Sequence, residues 1–202
     1  MRTITAGMLA LAGIVGAACS DRSAQSTAPA DFAADVQAPA SAPAGVQGGA
    51  RTGFGFNGTV SGFPKGTVFL TGGGSFDAAT ASNVVPRETD AKSGGGFRCE
   101  DGVAQGPLAG CATGEGVRWD TAQLLASTGF KCTGADTLKT ATTGPGTVVL
   151  RADFYRAGNG NDESFTAAII VSDTDIAPDI QGDQTLWVQG VGCGTAVANF
   201  SR

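Results

Sequence analysis

The chain contains no histidine among its 202 residues. This absence excludes histidine general acid–base catalysis, nucleophiles activated by a histidine, and imidazole metal ligands. Charged residues are also scarce, at 15%, and the formal net charge is −5. An acidic chain lacks the basic surface that binding to a phosphate backbone requires, so the sequence predicts no nucleic-acid partner.

Long apolar runs are missing as well. The longest, residues 4–15, has about a dozen residues, whereas a membrane-spanning helix needs about 20. Arg2 precedes this run and the small residues Gly16-Ala17-Ala18 follow it, which is the three-part form of a secretory signal over residues 1–18. The sequence therefore predicts an exported protein.

The residue after the signal is Cys19, and Val-Gly-Ala-Ala-Cys at 15–19 resembles the lipobox of bacterial lipoproteins. Gly16 stands where that family usually has Leu. The resemblance implies cleavage just before Cys19, acylation of its sulfur and new amine, and a membrane anchor in the cell envelope. With Ser20 next, it implies the outer membrane if the cell is Gram-negative. The alternative is a plain signal peptide, cleaved after one of the small residues nearby.

Residues 19–50 form the next segment, rich in Ala, Pro, Ser and Gln after the cysteine. Such a composition cannot bury enough apolar surface to offset the entropy lost on ordering, so we predict a disordered tether. From residue 51 the composition changes to Val, Thr, Phe and Gly, and we predict a single β-domain over residues 51–202.

Residues 147–173 give the clearest structural signal. Val148, Leu150 and Phe154 alternate with polar positions, and a matching apolar row runs through the residues 165–171. Period-2 alternation predicts strands that are buried on one face, and the Gly/Asn-rich segment between them predicts a turn. We predict a long central hairpin.

Other stretches predict short strands, at 52–60, 67–71, 75–78, 82–85, 95–99, 130–133, 136–142, 185–191 and 195–201. The glycine runs 72–74 and 94–96 are interpreted as bulges or tight turns before strands. Neither run has the phosphate-loop spacing or leads into a helical pattern.

Residues 120–127 carry the one helix signal: Asp120 as a cap, Gln123 three residues later, an apolar run and then Gly129. The predicted fold class is all-β, an antiparallel β-sandwich or flattened barrel with one short helix near 120–127.

The cysteines other than Cys19 are an even set in a chain predicted to be exported, which favours two disulfides. Four cysteines allow three pairings, and we favour Cys99–Cys111 and Cys132–Cys193. The alternatives are free buried thiols or a zinc site; the scattered spacing without Cys-x-x-Cys disfavours the latter.

Two acidic segments are candidates for calcium, which takes oxygen ligands. One is the hairpin turn at 159–163. The other is the loop with Asp173, Asp175, Asp179 and Asp183. Because the EF-hand spacing is absent, we favour a solvated turn for the first and Asx-turns for the second, and predict no cofactor.

A carboxylate pair such as Asp153 with Glu115 or Asp162 could hydrolyse a glycoside if the two carboxyl groups lay about 5–10 Å apart. We favour a cross-strand ion pair for Arg151 and Asp153 instead. Trp119, which could also close against the predicted helix start, and Trp187 are interpreted as core residues rather than ligand platforms.

Phrases such as Phe-Asn-Gly-Thr-Val at 56–60, Gly-Glu-Gly-Val-Arg-Trp-Asp at 114–120 and Ala-Asp-Phe-Tyr-Arg at 152–156 resemble a group of uncharacterised exported bacterial β-rich proteins. No activity is known for the group, so the resemblance implies no function and no site.

Two functions remain open. The first is a non-catalytic envelope lipoprotein that binds or organises a protein or glycan. The alternative is a carboxylate-dependent secreted hydrolase acting on carbohydrate. A hydrolase requires a deep cleft with convergent carboxylates, whereas a binding module requires a shallow face that exposes Tyr155, Trp119 or Trp187. Two buried tryptophans without a cleft would indicate a purely structural role.

Overall fold

The computed structural model describes residues 50–63, 65–84, 91–156 and 164–201, all within one compact unit. These residues are almost entirely β-structure, with a single 3₁₀ turn at Ala78–Thr80. The strands are β1 Thr52–Gly62, β2 Thr67–Phe76, β3 Ala91–Asp101, β4 Arg118–Leu124, β5 Ser127–Phe130, β6 Lys139–Thr142, β7 Thr147–Tyr155, β8 Ser164–Ser172, β9 Leu186–Val188, β10 Gly192–Gly194 and β11 Ala196–Ser201.

The main sheet is an antiparallel meander in the order β10-β9-β8-β7-β4-β3-β2-β1-β11. β1 pairs with β10 as well as with β2 and β11, so the sheet closes on itself into a flattened barrel. β5 and β6 form a separate hairpin between β4 and β7. The predicted all-β antiparallel class is confirmed.

The central hairpin is confirmed, since β7 pairs antiparallel with β8. Val148 lies opposite Val171, Leu150 opposite Ile169 and Phe154 opposite Phe165. Both apolar rows point into the barrel, as the alternation in the sequence predicts.

Two apolar cores lie on opposite sides of this hairpin. The first fills the barrel and includes Trp119, Phe154 and Leu70. The second lies outside the barrel, where the β5–β6 hairpin and the loop after β8 cover the outer face of β7, β8 and β9; Ile170 and Trp187 belong to it. Side chains fill the interior of this closed sheet, so a ligand site is expected on the surface of the barrel.

The predicted helix at 120–127 is wrong. Residues 118–124 form β4, in which Asp120 lies opposite Asp153 and Leu124 opposite Leu150. A bulge between Thr121 and Gln123 interrupts the alternation, which makes the segment resemble a helix start. The Gln123 amide donates to the carbonyl oxygen of Ser82 at 2.8 Å instead of forming a capping box.

The interpretation of the glycine runs as turns or bulges before strands is also wrong. Both runs lie inside strands and face each other, with Gly72 opposite Gly95 and Gly73 opposite Gly94. β2 therefore runs without a break from residue 67 to residue 76. The sequence predicts two short strands here, at 67–71 and 75–78, with a gap between them. The strand predicted at 82–85 is not formed in the described residues, and β5 ends at Phe130, where a strand was predicted to begin.

Candidate functional site

The two favoured disulfides are present. Cys99 pairs with Cys111, and Cys132, after β5, pairs with Cys193 in β10. All four cysteines are buried. Disulfides persist outside the cytosol, so the domain belongs to an oxidising compartment. Cys19 lies outside the described residues.

The acidic loop 173–183 uses its carboxylates structurally. Asp175 Oδ1 accepts from the backbone N–H groups of Ala177, at 2.8 Å, and Gln184, at 3.2 Å, which is an Asx-turn extended to the far end of the loop. Asp179 pairs with Lys139 at 3.0 Å. Lys139 also pairs with Asp136, whose carboxylate accepts from the N–H of Cys132.

The other two aspartates of that loop form hydrogen bonds through their backbone groups. The Asp173 N–H donates to the Gly146 carbonyl oxygen, and the Asp183 carbonyl oxygen accepts from the Thr195 hydroxyl. Across the described residues, no group of three or more His, Cys, Asp or Glu side chains is arranged to hold a metal ion. The turn at 159–163 lies outside those residues.

The tryptophans are core residues, as predicted. Trp119 is fully buried inside the barrel, and its indole N–H donates to the carbonyl oxygen of Thr71 at 3.1 Å. Trp187 is buried in the outer core, and its indole N–H donates to Lys131 at 2.9 Å. Neither ring forms a ligand platform.

The carboxylate pair that the sequence suggested for hydrolysis is not assembled. The carboxylate of Glu115 accepts from the N–H of Ala112 in a turn, and Asp162 lies outside the described residues. Asp153 accepts from the hydroxyl of Thr166 at 2.6 Å. No ion pair joins Arg151 to Asp153 among the described residues, so the predicted contact is not formed there.

The residue opposite Asp153 is Asp120, on the open outer face, where Arg118 lies 3.5 Å away. The Arg118 guanidinium also covers the ring of Tyr155, 4.5 Å from its centre. Arg118 and Asp120 are both about half exposed. Solvent screens such a pair, so it contributes little to stability and forms no enclosed site.

The candidate site is an open groove of about 390 Å³ on the outer face of β2 and β3. Its wall on β2 consists of Phe69 and Thr71, and the opposite wall is Val117, which is 52% exposed. The floor is the backbone at Gly96, opposite Thr71 in the sheet. A Cβ on Gly96 would occupy this floor, in ordinary contact with the Thr71 methyl group at 3.4 Å and the Val117 carbonyl oxygen at 3.6 Å.

The groove combines three chemical groups along one strand pair. Phe69 lies opposite Arg98 and offers an aromatic surface. Arg98 and Glu100 project from β3 two residues apart and are exposed. Neither is in an ion pair with another described residue, so a cation and an anion remain available to a ligand beside an apolar surface.

Sequence reasoning missed this groove. Phe69, Arg98 and Val117 are far apart in the chain, and only the β2–β3 register brings the first two together. One sequence feature could have indicated it: in the alternating pattern of β2, Phe69 lies between Val68 and Leu70, which point inward, so its aromatic ring points outward.

Comparison with known proteins finds no matching family model, no matching curated protein and no matching solved structure. No helix in the described part of the chain is long and apolar enough to span a membrane.

Proposed function

We propose that the protein is an exported, lipid-anchored, non-catalytic binding module of the bacterial cell envelope. Its signal-like residues 1–18 and Cys19 support the anchor, and its two disulfides agree with an extracytoplasmic location. The segment 20–50 acts as the tether that carries the β-domain away from the membrane.

The observation that carries the binding function is the groove on β2 and β3. It is shallow and open, and its lining combines Phe69, Thr71 and Val117 with the charges of Arg98 and Glu100. Aromatic and arginine side chains contribute strongly to recognition sites. The groove suits an envelope ligand with an apolar face and flanking hydrogen-bonding groups, in a protein or a glycan.

The hydrolase alternative has less support. Glu100 is the one carboxylate among the residues that line the groove, whereas hydrolysis of a glycoside normally uses two. Asp120 and Asp153 do lie opposite each other, but they belong to β4 and β7 and are not among the residues that line the groove.

Site-specific photocrosslinking in intact cells tests the proposal. A photoreactive amino acid at Val117 places the probe in the groove, and one at the exposed Lys92, at the far end of β3, serves as the control. We expect a discrete adduct from position 117 and none from 92. The adduct should weaken at least tenfold when Arg98→Ala and Glu100→Ala are combined, with the melting temperature unchanged. No adduct at 117, or equal adducts at both positions, would contradict the proposal.

A further inference from the structure

β11 has a sheet partner on only one side. Residues 196–201 pair with residues 58–53 of β1. On the other side, β9 pairs with β10, and this pairing ends at Gly194, before β11 begins. Beyond that point no described strand is hydrogen-bonded to the other side of β11. Among the described residues, β11 is therefore an edge strand of the sheet, next to the strand that closes the barrel.

The direction of the backbone groups along β11 follows from two contacts. The Thr195 carbonyl accepts from the N–H of Thr59 in β1. The next residue, Ala196, uses both its N–H, at 2.8 Å, and its carbonyl, at 2.9 Å, to bind the Thr185 hydroxyl on the other side. Because these directions alternate along a strand, the N–H and C=O groups of Ala198 and Phe200 point away from β1. No hydrogen bond joins them to another described residue.

Exposed edges normally carry charges, prolines or bulges that prevent pairing with another chain. The sequence of β11, Ala-Val-Ala-Asn-Phe-Ser, has none of these. Val197, on the outer face, is 72% exposed, and Phe200, on the inner face, is only partly buried although it packs against Phe54 and Phe76. A strand added here would cover apolar surface on both faces.

We propose that β11 is a self-association edge, where β11 of a second copy pairs antiparallel across a two-fold axis at Asn199. This register places Ala198 opposite Phe200 of the other copy, and Phe200 opposite its Ala198. The two pairs exchange four backbone hydrogen bonds with the groups that point away from β1.

The side chains are compatible with this register. Asn199 faces Asn199 of the other copy, and Val197 faces its Ser201, so no like charges meet. A self-complementary strand favours a second copy over an unrelated peptide, and two-fold interfaces are the commonest in homo-oligomers. A contact limited to one strand pair is small, so we expect weak association, which tethering in one membrane would strengthen by raising the effective concentration.

Charged substitutions at Asn199, which lies on the proposed two-fold axis, test this arrangement. Asn199→Asp and Asn199→Lys each place like charges opposite each other in the homodimer, whereas an equimolar mixture of the two variants pairs opposite charges. All proteins are the exported full chain with Cys19→Ala, so that acyl chains do not drive association. Asn57→Asp adds the same charge to an exposed position of the neighbouring strand and is the control.

Sedimentation equilibrium up to millimolar concentration supplies the readout. We expect the parent and Asn57→Asp to dimerise, each Asn199 variant to dimerise at least tenfold more weakly, and the mixture to recover the heterodimer. Circular dichroism checks that every variant is folded. A parent that stays monomeric at all concentrations, or a dimer insensitive to charge at 199, would overturn the proposal. Either result would leave the groove function untouched, because it depends on β2 and β3.

Discussion

The indole of Trp119 lies directly against the backbone of Gly72. A Cβ placed on Gly72 would come within 2.5 Å of the Trp119 Cζ2 atom, closer than any real side chain approaches. The neighbouring Thr71 carbonyl accepts the indole N–H at 3.1 Å. The largest residue of the barrel interior therefore fits because a glycine lies beneath it, in the middle of a strand.

We expect Gly72→Ala to destabilise the domain by about 1–3 kcal/mol, because the indole must move within a packed core. The control is Gly55→Ala on the neighbouring strand, where an added Cβ meets only one carbonyl oxygen, at 3.9 Å. There the loss of backbone freedom in the unfolded chain should leave stability unchanged or higher by up to about 1 kcal/mol. Urea denaturation followed by tryptophan fluorescence measures both. Equal effects of the two substitutions would contradict the close packing.

The features predicted correctly are those that depend on local pattern. The alternation at 148–154 and 165–171 predicts the central hairpin and the face that it buries, and both are present. The disulfide pairing was a choice among three possibilities, and the structure contains the favoured one.

The features missed depend on partners distant in sequence. The run at 72–74 is interpreted as a turn because the indole that requires Gly72, at 119, is far away in the chain. The segment 120–127 resembles a helix because the bulge after Thr121 hides its alternation, while pairing with β7 decides its structure. Tertiary pairing overrides weak local preference in both cases. The groove and the open edge of β11 likewise arise only once the strands are arranged.

Removing each disulfide should destabilise the domain to a different extent. Chain-entropy arguments give about 3 kcal/mol for Cys99–Cys111, with a sequence separation of 12, and about 4 kcal/mol for Cys132–Cys193, with a separation of 61. In urea denaturation, the variant with Cys132 and Cys193 both replaced by Ala should lose more stability than the variant with Cys99 and Cys111 replaced. The control is mass spectrometry of the parent without reductant, which should find no alkylatable thiol among these four. Four reactive thiols would contradict the pairing.

The stability of the β5–β6 hairpin should depend on pH through Asp136, whose partners Lys139 and Cys132 lie in the same hairpin. Its hydrogen bond with Lys139 holds the pKa of Asp136 below the usual 3.8, and the same contact raises the pKa of Lys139 above 10.5. A lowered carboxyl pKa stabilises the fold above pH 3.8, and this contribution is lost as the pH falls through the folded-state value; the lysine contribution is lost as the pH rises above its folded-state pKa.

Asp136→Asn should therefore lower the melting temperature at pH 7, and the difference from the parent should shrink as the pH falls below about 3.8. Thermal scans by circular dichroism across pH 2–8 measure it. Asp183→Asn, at an exposed position of the facing loop, is the control and should show no such trend. If the difference in melting temperature between Asp136→Asn and the parent does not change with pH, the charge of the Asp136 carboxylate does not contribute to stability.

The proposed anchoring through Cys19 predicts the location of the protein in the cell. With Cys19→Ala no sulfur remains to acylate, and we expect the protein to leave the membrane fraction and appear in the soluble extracytoplasmic fraction. Several acyl chains hold a protein stably where a single chain does not, so the shift should be nearly complete. Ser20→Ala retains the cysteine and should stay with the membrane. Immunoblots of fractionated cells measure the distribution, and mass spectrometry of the parent should find the mass of the acyl groups on residue 19. If the parent itself is soluble, a plain signal peptide explains the N-terminus; if Cys19→Ala stays in the membrane, another part of the chain holds it there.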